Sequence, residues 1–179
     1  MKRRNFLTGT LALGAIEVLG EDKTPKKKGF VVRKGEARFG EHTPFKGVNP
    51  NDLKISSKDT NGNLSIFEYI GTEKTGPSLH VHFFQDEIFY IAEGEYIFQL
   101  DKEKFTLKAG ETIFLPRNVP HTWIQTSNTG KLIYFLQPAG KMEEFFSIMS
   151  KLQGPPSKDF LEKMHADHGM KTVGPPLTL

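Results

Sequence analysis

Two histidines and a glutamate lie close together in the segment HVHFFQDEIFYIAEGEYIF, which covers residues 80–98. His80 and His82 are separated by one residue, and Glu87 follows after a short gap. Because side chains alternate between the two faces of a β-strand, both imidazoles lie on one face if this segment is extended. Imidazole and carboxylate are suitable ligands for divalent first-row transition metals. The spacing therefore indicates a candidate metal site, which needs a further ligand from elsewhere in the chain.

Glu87 reaches the histidines if the chain reverses direction between them. Gln85 and Asp86 form a turn-like break, and Glu87 opens the next apolar run. An antiparallel return would place Glu87 in the same cavity as the two imidazoles. Gln85 or Asp86 could supply the ligand oxygen instead, although the spacing favours Glu87.

The third candidate ligand, His121, lies in a second segment, GETIFLPRNVPHTWIQ, which covers residues 110–125. Gly110 permits a tight turn, and Pro116 and Pro120 restrict the backbone that leads to His121. Three histidines and one glutamate leave positions open on a six-coordinate metal, as a catalytic site requires.

Short strands must position these residues. From Leu64 onward, apolar or alternating runs recur about every 8–12 residues, with Gly, Pro, Asn or Asp between them, which is typical of an all-β sandwich or barrel. A further run, GFVV at residues 29–32, is predicted to be an edge strand. The pattern changes after Pro138, where residues 141–152 carry an apolar stripe with helical spacing. Ser157 is predicted to cap a second helix, and we expect both helices to pack against the outside of the barrel.

The composition limits the classes of partner. A chain of 179 residues is long enough for one domain with a sizeable core. The formal net charge is +3, from 24 Lys and Arg against 21 Asp and Glu, so a nucleic-acid partner is not expected. The chain has no cysteine, which excludes disulfides and thiolate metal sites.

On these motifs the sequence resembles the cupin family over about residues 64–137. The residues that match the family's first motif are His80, His82, Glu87 and Gly94. Those that match its second motif are Gly110, Pro116, Asn118, His121 and Gln125. Asn118 replaces a glycine of the motif but tolerates positive φ nearly as well, and Gln125 replaces an asparagine. The resemblance implies an all-β fold, the double-stranded β-helix or jelly-roll cupin barrel, with C-terminal helices.

The same resemblance implies a metal and an assembly. The metal is one divalent first-row transition ion, which could be Fe, Mn, Ni, Co, Cu or Zn. The ligands that the resemblance assigns to it are His80, His82, Glu87 and His121. Cupins usually cover their exposed strands by dimerising, so a homodimer is expected.

The segments that follow the predicted barrel indicate one subgroup of the family. The segments QPAGKMEEFF and HGMKTVGPPL resemble those of bacterial quercetin-dioxygenase-like cupins. That resemblance implies a dioxygenase that uses O2 and an aromatic, flavonol-like or catechol-like small-molecule substrate. Glu87 would be the catalytic base that takes the proton of the substrate hydroxyl, with a pKa raised by its apolar pocket. The aromatic residues close to the ligands in sequence are Phe83, Phe84, Phe89, Phe98 and Trp123. They suit such a substrate, although any one of them can simply fill the barrel.

Two other classes of function remain open. A metal-dependent isomerase or hydrolase of a polar metabolite would need a basic cavity, for which Arg117 is the nearest candidate. A non-catalytic small-molecule-binding cupin would have its cavity filled by side chains. The remaining histidines, which are expected on the surface, are His42, His165 and His168.

The N-terminus, MKRRNFLTGTLALGAIEVLG, has a positive start and a short apolar stretch. It is too short to span a bilayer, which takes about 20 apolar residues, and the run RRNFL resembles a twin-arginine export signal. An ordinary amphipathic helix is the alternative. We expect an exported protein, either periplasmic or attached to the membrane by an uncleaved N-terminal segment. The expected organisation is a signal segment at residues 1–20, a linker at 21–29, the cupin barrel at 30–139 and a helical extension at 140–179.

The export hypothesis makes a direct prediction. The double variant Arg3→Lys, Arg4→Lys is expected to stay in the cytoplasm, folded and metal-loaded, because the twin-arginine route carries proteins that have already folded. Cell fractionation measures this, and a double-lysine variant that still reaches the envelope would contradict the hypothesis.

Overall fold

The computed structural model describes residues 28–179, so the signal segment predicted at residues 1–20 and most of the linker lie outside the described residues. The described chain contains ten strands and two helices. The strands are β1 (Asn51–Ile55), β2 (Ser65–Gly71), β3 (Ser78–His82), β4 (Asp86–Glu93), β5 (Glu95–Leu100), β6 (Glu103–Lys108), β7 (Thr112–Leu115), β8 (His121–Gln125), β9 (Gly130–Gln137) and β10 (Met170–Pro176). The helices are α1 (Met142–Ser150) and α2 (Lys158–Asp167). Within the described range, no helix has both the length and the apolar character needed to cross a membrane.

The strands form two five-stranded sheets that face each other. The order in the first sheet is β1-β2-β9-β4-β7, and the order in the second is β10-β3-β8-β5-β6. Every pairing between these strands is antiparallel. The predicted all-β jelly-roll architecture is therefore confirmed.

The core lies between the two sheets and is rich in aromatic side chains. Along β2, Phe67 and Tyr69 are buried, whereas the residues between them are only half-buried, as strand alternation requires. Phe67 stacks on Tyr134 of β9 with ring centroids 5.2 Å apart. On the other side of the core, Trp123 of β8 meets Tyr69 edge-on at 5.0 Å. Side chains of both sheets thus fill one continuous interior.

The two C-terminal helices pack against the barrel. Met142 and Phe145 of α1 and Met164 of α2 are buried and belong to the core cluster. Ser157 caps α2 as predicted, because its hydroxyl accepts a hydrogen bond from the backbone N–H of Phe160 at 3.2 Å. The helices therefore contribute apolar side chains to the core.

Two segments differ from the sequence-based expectation. Residues 29–32, predicted as an edge strand, form no strand, and the ring of Phe30 instead lies 3.7 Å below the guanidinium carbon of Arg38. Residues 170–176, within the extension predicted as helical, form β10 and pair with β3. In that pairing Met170 lies opposite His82 and Thr172 lies opposite His80. The C-terminal extension therefore supports the strand that carries two candidate ligands.

An apolar row crosses the outer face of the first sheet. Strand register aligns four side chains across β2, β9, β4 and β7, namely Ile66, Phe135, Ile88 and Phe114. Phe114 is 54% exposed, and Tyr90 beside the row is 42% exposed. A connected apolar strip of this kind is typical of a protein–protein contact.

We expect a second copy of the chain to cover this strip, which gives the homodimer predicted from the sequence a specific surface. Phe114→Glu should weaken the dimer by at least about tenfold, or about 1.4 kcal/mol, because it would place a carboxylate in an apolar contact. Sedimentation velocity at micromolar concentrations measures this. The matched control is Phe105→Glu on β6 of the other sheet, where the ring is 36% exposed. A wild-type protein that sediments only as a monomer would contradict the expectation.

Candidate metal centre

Three histidines face one glutamate across the barrel interior. His80 and His82 lie on β3 and His121 opens β8, all in the second sheet, whereas Glu87 lies on β4 in the first sheet. One nitrogen or oxygen atom from each of the four lies within 4.8 Å of the others. The structure therefore brings together all four residues predicted as ligands. Asp86, the alternative to Glu87, pairs with Arg117 at 2.8 Å instead.

Strand register brings the three imidazoles together. His80 lies directly opposite His121 in the β3–β8 pair, and their ring centroids are 4.7 Å apart. His82 lies two residues further along the same face of β3. Its ring is nearly parallel to that of His121 at 5.5 Å.

The turn before β8 is tied to the end of β3. Asn118 has a φ of 65°, in the left-handed region that the sequence predicted for this position. Its backbone N–H donates to the carbonyl oxygen of His82 at 2.7 Å. This bond fixes the approach of β8, and with it His121, relative to His82.

Glu87 occupies a place that water scarcely reaches. Its Oε2 lies 3.2 Å from Nε2 of His121, and its Oε1 lies 3.5 Å from Nε2 of His82. Glu87 is 5% exposed, His82 is 1% exposed and His121 is fully buried. His80 alone among the four is half-buried. The site therefore comes closest to solvent beside His80.

Hydrogen bonds to the backbone fix the tautomers of two imidazoles. Nδ1 of His80 lies 2.8 Å from the carbonyl oxygen of Ser78, and Nδ1 of His121 lies 2.9 Å from that of Val119. A carbonyl oxygen only accepts, so each Nδ1 carries the hydrogen and each Nε2 keeps a free lone pair. This is the tautomer in which Nε2 can bind a metal.

The facing lone pairs provide a test of whether a metal fits. With Nδ1 protonated, Nε2 of His121 is an acceptor, and it faces another acceptor, the Glu87 carboxylate, across 3.2 Å. Nε2 of His121 is also buried without a hydrogen-bond partner. A cation between the two atoms would remove this repulsion and satisfy both, so the donor set fits a divalent metal.

The electrostatics of the site agree with that fit. Burial lowers the pKa of His80 to about 3, and burial also lowers the pKa of His82. For Glu87 burial acts to raise the pKa, but the positive charge of His82 and a hydrogen bond from His121, both in their protonated forms, lower it below its usual range. At neutral pH His80 and His82 are thus neutral imidazoles and Glu87 is an ionised carboxylate, the forms that bind a divalent cation.

Residues 66–136 match the family model described as the cupin domain. This part of the chain is therefore similar to a cupin domain. The match covers less than half of the chain, and it includes all four converging side chains, His80, His82, Glu87 and His121.

Comparisons with other proteins support the fold. An uncharacterized protein from Methanocaldococcus jannaschii is 49% identical over 43 residues, which are 24% of this chain and 34% of that relative. The match thus spans about a third of the relative's length. The solved structure of KdgF from Halomonas sp. has a TM-score of 0.53 at 15% identity and covers 63% of this chain and 94% of that chain. An RmlC-like cupin from Shewanella frigidimarina has a TM-score of 0.48 at 22% identity, over 55% of this chain and 84% of that chain. The likeness to the Halomonas protein shows the cupin fold and nothing of the activity.

The aromatic residues named from the sequence divide into two groups. Phe83 and Phe84, which follow β3 directly, are 40% and 62% exposed, so they do not fill the barrel interior. Phe89, Phe98 and Trp123 are buried, and Phe89 packs against the other two rings. The first pair lies in the turn to β4, where strand alternation no longer applies.

The remaining histidines have different surroundings. His42 keeps an exposed side chain and pairs with Asp52 at 2.8 Å. His168 was predicted on the surface, but it is 5% exposed, and its Nδ1 lies 2.7 Å from the carbonyl oxygen of Met164. His165 is half-buried, with Nδ1 2.9 Å from the hydroxyl of Thr172.

Sequence reasoning missed Tyr134, a buried neighbour of the site. Burial raises its pKa well above the ordinary value, and the charge of Glu87 raises it further. Its hydroxyl donates to Oδ1 of Asn51 at 2.7 Å. The alternation along β9 could have placed Tyr134 inside the barrel, but its proximity to Glu87 depends on the pairing of β4 with β9.

The first test of the centre is metal content. The double variant His80→Ala, His121→Ala is expected to lose the stoichiometric metal that the wild-type protein holds, because two of four ligands are gone. Elemental analysis of purified protein measures this, with circular dichroism to confirm the fold. His42→Ala, which alters an exposed histidine outside the centre, is the matched control and should keep its metal. One ion per chain in the double variant would place the metal site elsewhere.

Proposed function

We propose that the protein is a metal-dependent oxidoreductase, a dioxygenase that acts on an aromatic, flavonol-like or catechol-like substrate. The observation that carries the proposal is the convergence of three imidazoles and one buried carboxylate at a site where His80 is half-buried. Such a donor set would leave room for further ligands on a six-coordinate ion, and the site comes closest to solvent beside His80. The fully buried side of the site, around His121, has no comparable access.

The side chains of the site would have distinct roles in this reaction. A divalent first-row metal, when bound, supplies Lewis-acid and redox chemistry. His80, His82 and His121 hold it by Nε2, with the tautomers of His80 and His121 already set by backbone carbonyls. Glu87 is both a ligand and the acceptor of the substrate's hydroxyl proton.

The pKa of Glu87 affects how well its carboxylate accepts a proton from a substrate hydroxyl. The sequence-based expectation of a raised pKa was wrong, since the neighbouring histidines hold the pKa below its usual range. A carboxylate of low pKa is a weak base, so it accepts a proton efficiently only from an acidic hydroxyl. Phenolic and enolic hydroxyls are far more acidic than alcohols. Hydroxyls of this kind are present in the proposed flavonol-like and catechol-like substrates.

The structure weakens the case for an isomerase or hydrolase of a polar metabolite. Arg117 was the candidate for binding an anionic substrate. Its guanidinium instead makes two hydrogen bonds to Asp86, at 3.0 Å from Nε and 2.8 Å from one terminal nitrogen. Its side chain is also 41% exposed. Arg117 therefore fixes the start of β4 from outside the barrel.

A non-catalytic binding cupin is the second candidate, and the packing of the interior favours it. Phe89 stacks on Tyr134 at 5.1 Å, and Tyr134 stacks in turn on Phe67. A cavity of about 350 Å³ lies between α1 and the residues that precede β2, and none of the four candidate ligands lines it. The aromatic rings between the two sheets are thus closely packed, which supports the non-catalytic alternative.

Oxygen uptake distinguishes these functions. Metal-loaded wild-type protein is expected to consume O2 with at least one member of a panel of flavonols and catechols. Glu87→Ala should keep part of its metal and lose the uptake, because the proton acceptor is gone. An oxygen electrode measures this, and Glu103→Ala on the exposed strand β6 is the control. Full activity in Glu87→Ala would remove Glu87 from the mechanism. If metal-loaded wild-type protein binds a member of the panel but consumes no O2, the binding function is correct instead.

A further inference from the structure

We propose that Gln85 is a positioning residue of the metal centre, which accepts a hydrogen bond from Nδ1 of His82 and thereby presents Nε2 of His82 to the metal. Gly140, at the start of the C-terminal extension, provides the space for the Gln85 side chain. The inference rests on the proposed metal site and concerns the structure of that site rather than the reaction.

The three histidines differ in whether Nδ1 has a hydrogen-bond acceptor. Nδ1 of His80 and Nδ1 of His121 each have a backbone carbonyl as acceptor. Nδ1 of His82 is buried and has no hydrogen-bond partner at a good geometry. The ring is 1% exposed, so water cannot readily replace that partner. A buried ring nitrogen without a partner is costly, so the structure around it should contain a group that can pair with it.

Gln85 carries the matching acceptor. It lies in the short turn between β3 and β4, three residues after His82, and it is 3% exposed. Its Oε1 is also buried without a partner. The amide is close enough for its hydrogen bonding to act on the pKa of His82, which it raises against the lowering effect of burial. A hydrogen bond between them would satisfy two buried atoms that otherwise lack a partner.

The chain leaves space for this amide at one glycine. A Cβ added to Gly140 would lie 1.6 Å from Nε2 of Gln85, so any other residue would push the side chain away. Gly140 also has a φ of 57°, in the region that side chains rarely adopt. It lies two residues before α1, which begins at Met142, so the C-terminal extension limits where the Gln85 amide can lie.

The proposal also gives Gln85 a role that differs from direct ligation. A ligand Gln85 would compete with Glu87 for the ion, whereas a positioning Gln85 acts only through the ring of His82. Gln85→Glu keeps an acceptor oxygen at the same place and should support His82, whereas Gln85→Leu keeps the volume and removes the acceptor.

The first experiment measures the tautomer of His82 in metal-free protein by nitrogen-15 NMR of the imidazoles. Wild-type protein and Gln85→Glu should show Nδ1 of His82 protonated. Gln85→Leu should shift His82 towards the other tautomer and leave His80 and His121 unchanged. An unchanged His82 tautomer in Gln85→Leu would overturn the proposal. Because the sample contains no metal or substrate, this result does not depend on the proposed function.

The second experiment measures metal affinity by competition with a chromophoric chelator. Gln85→Leu should bind a divalent ion about 10- to 100-fold more weakly than wild-type protein, and Gln85→Glu should recover most of the loss. The matched control is Gln99→Leu on β5, whose amide donates to the carbonyl oxygen of Asp101. Equal affinity in Gln85→Leu and wild-type protein would overturn the proposal.

A variant at Gly140 tests the same idea without altering Gln85 or His82. Gly140→Ala should displace the Gln85 amide and reproduce both the tautomer shift and the loss of affinity. Gly154→Ala is its control, because Gly154 also has a positive φ, of 93°, but a Cβ there would meet nothing within 4 Å. A wild-type tautomer and affinity in Gly140→Ala would show that Gly140 does not position Gln85.

Discussion

Glu87 keeps a negative charge in a part of the barrel that is almost closed to water, and the arrangement of the surrounding strands follows from that charge. Neutral imidazoles cannot balance a buried carboxylate, and an unbalanced charge in a dry interior is expensive. A divalent cation would balance it. The histidines belong to one sheet and Glu87 to the other, so a bound ion would join the two sheets from within.

Strands β3, β4 and β8 carry the side chains of the centre and come from different parts of the sequence. Two contacts hold these strands in place. The N–H of Asn118 fixes the end of β3 against the turn that leads to β8. Arg117, next in the same turn, holds Asp86 at the start of β4. Two adjacent residues of one turn thus set the positions of all three strands. This explains how a small site can keep its geometry before any metal arrives.

Much of the fold and of the candidate site could be predicted from local sequence patterns, because strand alternation and turn residues repeat over short distances. Those patterns located the four side chains that converge at the candidate centre and most of the strands between Ser65 and Gln137. The pattern failed at residues 29–32 and at β10, because a strand forms only where another strand is available to pair with it. Residues 29–32 have the composition of a strand but no strand to pair with, and β10 contains Gly174, Pro175 and Pro176, which suggest an irregular tail.

Tertiary contacts also determine the surroundings of several side chains that local sequence patterns did not predict. His168 is buried because the last turn of α2 packs against the barrel and places its ring beside Phe145. Gln85 looked like a possible ligand, and its relation to Gly140 depends on two residues that are far apart in the chain. The lowered pKa of Glu87 could not be foreseen either, since it results from imidazoles that only the folded barrel brings close.

The pairing of β10 with β3 has a consequence for the order of events during synthesis. The strand that carries His80 and His82 receives one of its two neighbours from residues 170–176. While the ribosome is still adding that segment, β3 has an open edge and its backbone lacks half of its ladder. Contacts between such distant parts of a chain form late in folding. The candidate centre is therefore completed only after β10 has emerged, and binding of a metal there would follow translation.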